Sequence, residues 1–220
     1  IENDTVFVDS LVGVNKGPIR LRGTLAVGSW REPNFNLYLV TQGAQVMNNK
    51  FGNVRANVGL ALTGPFDGTY LSGQVNVLDG VIQAPEPTGR HVVSAGDPAL
   101  AQVLDTTIAS DRVLFPPQSK LLANMRIEVT MNINRNTWVR NREANVEIYT
   151  DYPVYIRSEG EALSLTGAVT TDRGEYKFLS KRFQIQRGSA LFIGGPTLDP
   201  TLQVTGEYAV QIPTRGTVNI

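Results

Sequence analysis

The chain has 220 residues, with 20 Lys plus Arg balanced by 20 Asp plus Glu, so no overall field draws it to nucleic acid or to an anionic membrane. It contains no cysteine and one histidine, which excludes a disulfide scaffold, a thiolate metal centre and a multi-histidine site. Its length suits one large β domain or two small ones; no run reaches the apolar length of a membrane-spanning helix, and the opening Ile1 has no signal character, so we expect a piece of a longer protein whose targeting segment lies elsewhere.

The first block, residues 1–83, alternates with a period of two. Ile19, Leu21 and Leu25, then Phe35, Leu37 and Leu39, place apolar side chains on one side of successive strands. Val54, Ala56, Val58, Leu60 and Leu62 do so against Arg55, Asn57, Gly59 and Ala61, and Val75 and Val77 continue the pattern. One-sided alternation is the mark of antiparallel sheets with one wet face, whereas buried parallel strands read as continuous apolar runs. Asp79-Gly80 then reads as a tight turn, with glycine where a positive φ is wanted.

Residues 84–117 break the pattern. Pro85, Pro87, Gly89 and Gly96 mark a crossover loop. Asp97-Pro98 suits a helix cap and first position, and Leu100, Val103, Leu104 and Ile108 follow at helical spacing, predicting one short amphipathic helix that Phe115-Pro116-Pro117 ends.

The second block, residues 118–220, returns to strands. Ile127, Val129, Met131 and Ile133 alternate with Glu128, Thr130, Asn132 and Asn134, and Val146 and Ile148 extend the stripe. Leu165 and Val169, Phe178, Phe183 and Ile185, Phe192, then Leu202 and Val204 complete it. Arg173-Gly174 and Arg187-Gly188 read as hairpin loops. The first would set Val169 opposite Phe178, and the second would set Phe183 opposite Phe192.

An internal echo supports a repeated β unit. Leu71-Ser72-Gly73-Gln74-Val75 with Asp79-Gly80 aligns without a gap on Leu165-Thr166-Gly167-Ala168-Val169 with Arg173-Gly174. Strand–turn–strand repeats of this kind bury their apolar faces with help from neighbours along one axis.

The run Leu165-x-Gly167-x-Val169, Arg173-Gly174-Glu175-Tyr176-x-Phe178, Phe183-x-Ile185-x-x-Gly188, Phe192, Gly194 and Asp199-Pro200-x-Leu202-x-Val204 resembles the C-terminal conserved domain of the TamB family. That family usually has Asn-Pro where this chain has Asp199-Pro200, a change a turn tolerates. The resemblance implies an all-β fold: a long antiparallel, curved sheet folded around an apolar groove. It also implies a periplasmic location with an inner-membrane anchor outside this chain, and relatives among AsmA-like, bridge-type lipid transfer proteins. Implied partners are phospholipid acyl chains, an outer-membrane barrel protein (TamA or an equivalent) and nascent outer-membrane protein strands. The resemblance leaves open whether lipid transport or protein assembly is the direct activity.

Signals for catalysis are sparse, and neither an enzymatic activity nor a cofactor is expected. His91 sits in the crossover, where a Ser-His-Asp arrangement would depend on loop geometry. Glu159 and Glu161 at two-residue spacing would stand roughly 6–7 Å apart on one strand face, a separation seen between paired glycosidase carboxylates, but two solvated acids beside a turn is the simpler reading. Gly194-Gly195-Pro196 lacks the lysine and helix of a phosphate loop. Among the cations, Arg135 and Arg140 near Trp138, and Lys181 and Arg182 before Phe183, are candidates for lipid headgroup contact at a groove rim, against the alternative of gatekeepers beside apolar strands. Trp30 and Trp138 serve core or rim packing by default.

Overall fold

A computed structural model describes residues 4–14, 17–28, 33–84, 124–159, 162–178, 181–195 and 199–208. The crossover from 85 to 117, with His91 and the helix expected at Leu100–Ile108, lies outside the described residues, as do Trp30 and Glu161. The described chain forms one curved, 13-stranded sheet. Its strands are β1 (Thr5–Val14), β2 (Pro18–Ala26), β3 (Asn34–Asn49), β4 (Gly52–Pro65), β5 (Tyr70–Gln83), β6 (Arg126–Ile133), β7 (Thr137–Arg140), β8 (Ala144–Ile148), β9 (Val154–Glu159), β10 (Ala162–Thr171), β11 (Gly174–Phe178), β12 (Lys181–Ile193) and β13 (Thr201–Glu207).

The sheet is curved and mostly antiparallel, as expected, and carries one parallel seam that makes it mixed. β1 to β5 form an antiparallel meander, but β6 and β7 both run parallel to β5, pairing Tyr70 with Arg126 and Gly80 with Thr137. After Gln83 the chain re-enters the sheet at Arg126, beside the start of β5 rather than its end, and the connection 84–125 is long enough to return it there. This pairing joins the two blocks into one sheet.

Beyond the join, several strands are halves of longer ones. β10 and β11 both pair with the same edge of β12, and Thr171 opposite Gly188 and Glu175 opposite Gln184 keep one register across the break. β6 and β7 likewise face β9 and β8 in a single register, Ile127 with Ser158 and Thr137 with Ile148. The breaks line up with slips in neighbouring strands. β3 slips between Thr41 and Ala44 and again before Met47, β5 carries an extra residue opposite Arg55 and Ala56, and β12 slips between Ile185 and Arg187. A crease of bulges and breaks therefore crosses the sheet from β3 to β12. Bulges bend strands and increase their twist, so an aligned series of them curves the sheet along one line.

This crease overturns the hairpin readings. Gly80 and Gly188 lie inside continuous strands, and Asp172–Arg173 is a step between collinear strands. Val169 therefore pairs with Ala190 rather than Phe178, and Phe183 pairs with Tyr176 rather than Phe192. These glycines are needed for close approach. A Cβ on Gly80 would stand 2.5 Å from the Asn53 carbonyl oxygen, one on Gly174 2.6 Å from that of Asn145, and one on Gly188 2.9 Å from the Thr171 methyl. Two of the hairpins that do form use asparagine. Asn49 Oδ1 accepts from Phe51 N–H at 2.8 Å between β3 and β4, and Asn141 Oδ1 accepts from Glu143 and Ala144 N–H at 2.9 and 2.6 Å between β7 and β8. The internal repeat survives in altered form: its unit is one long strand interrupted at the crease, with Asp79-Gly80 and Arg173-Gly174 at equivalent places.

Burial is deepest along the same line. Val54, Val77 and Ile133 form the buried apolar centre, with Met47, Ile82 and Ile148 packed on it from one side of the crease and Val75, Met131 and Val169 from the other. Full burial of each aliphatic side chain stabilises by about 1.5–3 kcal/mol. Among the described residues, the elements in extensive contact are neighbours within the sheet, so no second layer covers this face.

Candidate functional site

Directly paired residues project to the same side of a sheet, so the register decides which candidates share a face. Val54, Val58, Leu60 and Leu62 of β4 face the same way as Val75 and Val77 of β5 and Ile127, Val129, Met131 and Ile133 of β6. β7 to β9 carry the face on through Val139, Val146 and Ile148 and through Val154 and Ile156. Leu165 and Val169 of β10, Phe178 of β11, Phe183, Ile185 and Phe192 of β12, and Leu202 and Val204 of β13 complete it. Every apolar candidate read from the sequence thus lies on one face. The face also includes Val139, Val154 and Ile156, which the sequence reading did not single out; Tyr155 between the latter two hides the alternation. Exposure rises away from the crease: Val77 is 8% exposed, whereas Phe178 is 43% and Leu202 66%.

Behind the crease, on the opposite face, sits an ionic cluster that the sequence did not announce. Glu147 faces Trp138 across the β7–β8 ladder and is 1% exposed. Its carboxylate accepts from Arg173 Nε at 3.0 Å and Nη2 at 2.6 Å, and from the Asn136 backbone N–H at 2.7 Å. Burial pushes the Glu147 carboxyl upward, but the Asn136 and Arg173 hydrogen bonds with the Arg173 and Arg135 charges outweigh it and hold it below the usual range. Arg135 makes a two-pronged pair with Asp172 at 2.9 and 2.7 Å and stacks 4.0 Å over Tyr149. These contacts tie the breaks between β6 and β7, β8 and β9, and β10 and β11 to one another. The one sequence signal was Asn136, a residue type that tolerates its observed φ of 69°.

The basic candidates separate. Arg135 is committed to Asp172 in this cluster. Arg140 projects from the face opposite the apolar one, donates to Asn145 Oδ1 at 2.8 Å and lies over Trp138. Arg182 also projects oppositely and pairs with Glu175 at 3.2 Å. Lys181 alone of these shares the apolar face, where its ammonium lies 5.3 Å over the Tyr208 ring and Tyr208 meets Phe183 at 5.6 Å.

A cleft of about 330 Å³ also opens on the opposite face, bordered by Gln45, Asn53, Asp79 and Trp138. Among the described residues, Asp79 is the sole carboxylate lining it and is held by Arg55 at 3.5 Å.

The model of the TamB C-terminal domain family matches residues 9–220. The chain belongs to the TamB family. Comparison with curated proteins and with solved structures found no match. At the family level, TamB proteins have a role in outer-membrane assembly and work with an outer-membrane partner in a translocation and assembly module. In this TamB domain the run from Leu165 to Val204 builds β10 to β13, on the side of the sheet away from β1.

Proposed function

We propose that the apolar face is a groove that carries phospholipid acyl chains between the inner and outer membranes, without enzymatic chemistry. One observation carries the reading: an apolar stripe runs from β1–β5 through β13 on a single face of a curved sheet, with no second layer on it among the described residues. So large an apolar face requires an occupant, because soluble monomers rarely expose more than a few hundred Å² of contiguous apolar surface. Each methylene leaving water contributes about 0.8 kcal/mol. In this reading the domain works in the periplasm, in a longer protein anchored in the inner membrane, beside an outer-membrane barrel such as TamA.

The test is lipid extraction and mass spectrometry of purified protein. Val129→Asp and Phe183→Arg place a charge in the apolar path, where an ion without a partner costs several kcal/mol. Both are expected to lower bound phospholipid and envelope function together, while Thr130→Asp on the other face lowers neither. Retention of lipid and function by Val129→Asp, or its outright unfolding, would overturn the reading.

A second reading, assembly of outer-membrane protein strands by β-augmentation, draws on β13. Among the described residues β13 pairs with β12 only, and each of its residues is exposed. Proline at Gln203 and Thr205, whose side chains face away from the apolar stripe, is expected to impair assembly of barrel substrates while leaving bound lipid unchanged; loss of neither activity counts against it.

A further inference from the structure

The cleft behind the crease is shaped by the irregularities that bend the sheet. β3 slips its register on both sides of Gln45, between Thr41 and Ala44 and between Gln45 and Met47, and the β4–β5 ladder slips beside Arg55. Bulges of this kind re-aim side chains, and they gather next to functional sites. Asn136, which also lines the cleft, holds its left-handed φ of 69° where β6 passes into β7. The cavity they enclose, about 330 Å³, stands at the small end of the range for ligand clefts, about 300–1,000 Å³.

Its lining is of two kinds. Trp138 and Val81, side by side in the β5–β7 ladder, make an apolar wall. Arg140 and Arg173 stand 5.7 and 5.2 Å from the centre of the indole ring and brace it, though neither lines the cleft. The remainder is flat and polar. Gln45, only 4% exposed, donates from Nε2 to Asn53 Oδ1 at 2.7 Å. Arg55 and Asp79 pair at 3.5 Å with side chains 46% and 42% exposed, so both still reach solvent while their charges cancel.

An uncharged saccharide has the same division. Its ring offers a face of C–H groups that packs on an aromatic ring, and an edge of hydroxyls that exchanges hydrogen bonds with carboxamide, guanidinium and carboxylate groups. A free phosphate would meet an arginine already neutralised by Asp79, and an acyl chain would leave the polar groups of the cleft unpaired. We propose that this cleft binds an uncharged saccharide unit, with the sugar ring stacked on Trp138 and its hydroxyls held by Asn53, Arg55 and Asp79. The residues of the site project from the face opposite the apolar stripe, so the site stays open whatever covers that stripe. It gives the domain a second class of ligand, a glycan, and does not depend on the lipid reading.

Isothermal titration calorimetry with chitobiose and with maltose, both uncharged disaccharides, tests the proposal. At least one is expected to bind with a Kd of about 10 mM or tighter, and with little dependence on salt, because no net charge is neutralised. Trp138→Ala removes the stacking wall and should weaken binding about tenfold or more. Asn53→Ala, at an exposed position, should weaken it about fivefold. Thr130→Asp, on the same face but away from the cleft, leaves it unchanged. Far-UV circular dichroism checks that each variant folds, and Asn53→Ala alone decides if Trp138→Ala does not. Absence of binding by either sugar up to that concentration overturns the site, and so does binding that Asn53→Ala leaves unchanged.

Discussion

Two pairs of side chains on the apolar face make the most instructive contrast. Val75 and Val77 on β5, and Leu202 and Val204 on β13, occupy equivalent alternating positions, yet Val77 is 8% exposed while Leu202 and Val204 are 66% and 60% exposed. β5 lies between β4 and the collinear β6 and β7, next to the crease. β13 has β12 on one side and nothing described on the other. Alternation therefore decides which face a residue occupies, and the number of flanking strands together with curvature decides how much water it loses. Stability should concentrate at the crease and fade toward β13.

The sharpest way to break that contrast is at Glu147. Glu147→Ala leaves the Asn136 N–H without its acceptor, whereas the Arg173 side chain, 58% exposed, can turn to water, so the cost should be up to about 3 kcal/mol; urea denaturation should show the loss, and a cost under about 1 kcal/mol would mean that the crease does not concentrate stability. The same group gives a pH signature. Its folded carboxyl titrates below the unfolded value of 4.5, so its stabilisation is complete above that value and is lost as pH falls through the lower folded one. Glu147→Gln should therefore flatten the acid limb of stability against pH between about 4.5 and the acid-unfolding range. An unchanged acid limb would show that the carboxylate does not couple to folding.

Smaller changes refine the comparison. Val77→Ala removes two buried methyl groups at the apolar centre and should cost about 2 kcal/mol. Leu202→Ala, on exposed β13, should stay within about 0.5 kcal/mol. Parallel denaturation curves check both, and similar costs at the two sites would show that β13 is covered as well as β5.

The face of each strand was legible from the sequence because the side-chain period of a strand is two, and Val54 to Leu62 or Ile127 to Ile133 leave no other placement. The joins were less so. Gly80, Gly174 and Gly188 each follow a polar residue between alternating segments, which is how a tight turn reads, yet their lack of a side chain serves passage of a neighbouring strand. Local composition cannot separate these uses, because both select for a missing Cβ. The parallel entry of β6 beside β5 depends on where the chain returns after residue 84, which no short-range pattern records. Glu147 was silent for a similar reason: its partner Arg173 lies in the step between β10 and β11, and only the stacked breaks bring the two together.

The parallel seam has a kinetic consequence. Among the described residues the other ladders join strands closer in sequence than β5 and β6, so β1 to β5 and β6 to β13 can each zip by shorter closures. Pairing of Tyr70–Gln83 with Arg126–Arg140 must instead wait for the ends of the 84–125 segment to meet, at a cost in chain entropy that its hydrogen bonds recover only afterwards. Until then β5 and β6 present unpaired edges, the surfaces through which sheets associate with the wrong neighbour. The seam is thus where synthesis outside its native compartment would first lose this domain to aggregation, and where shortening the connection would most accelerate refolding.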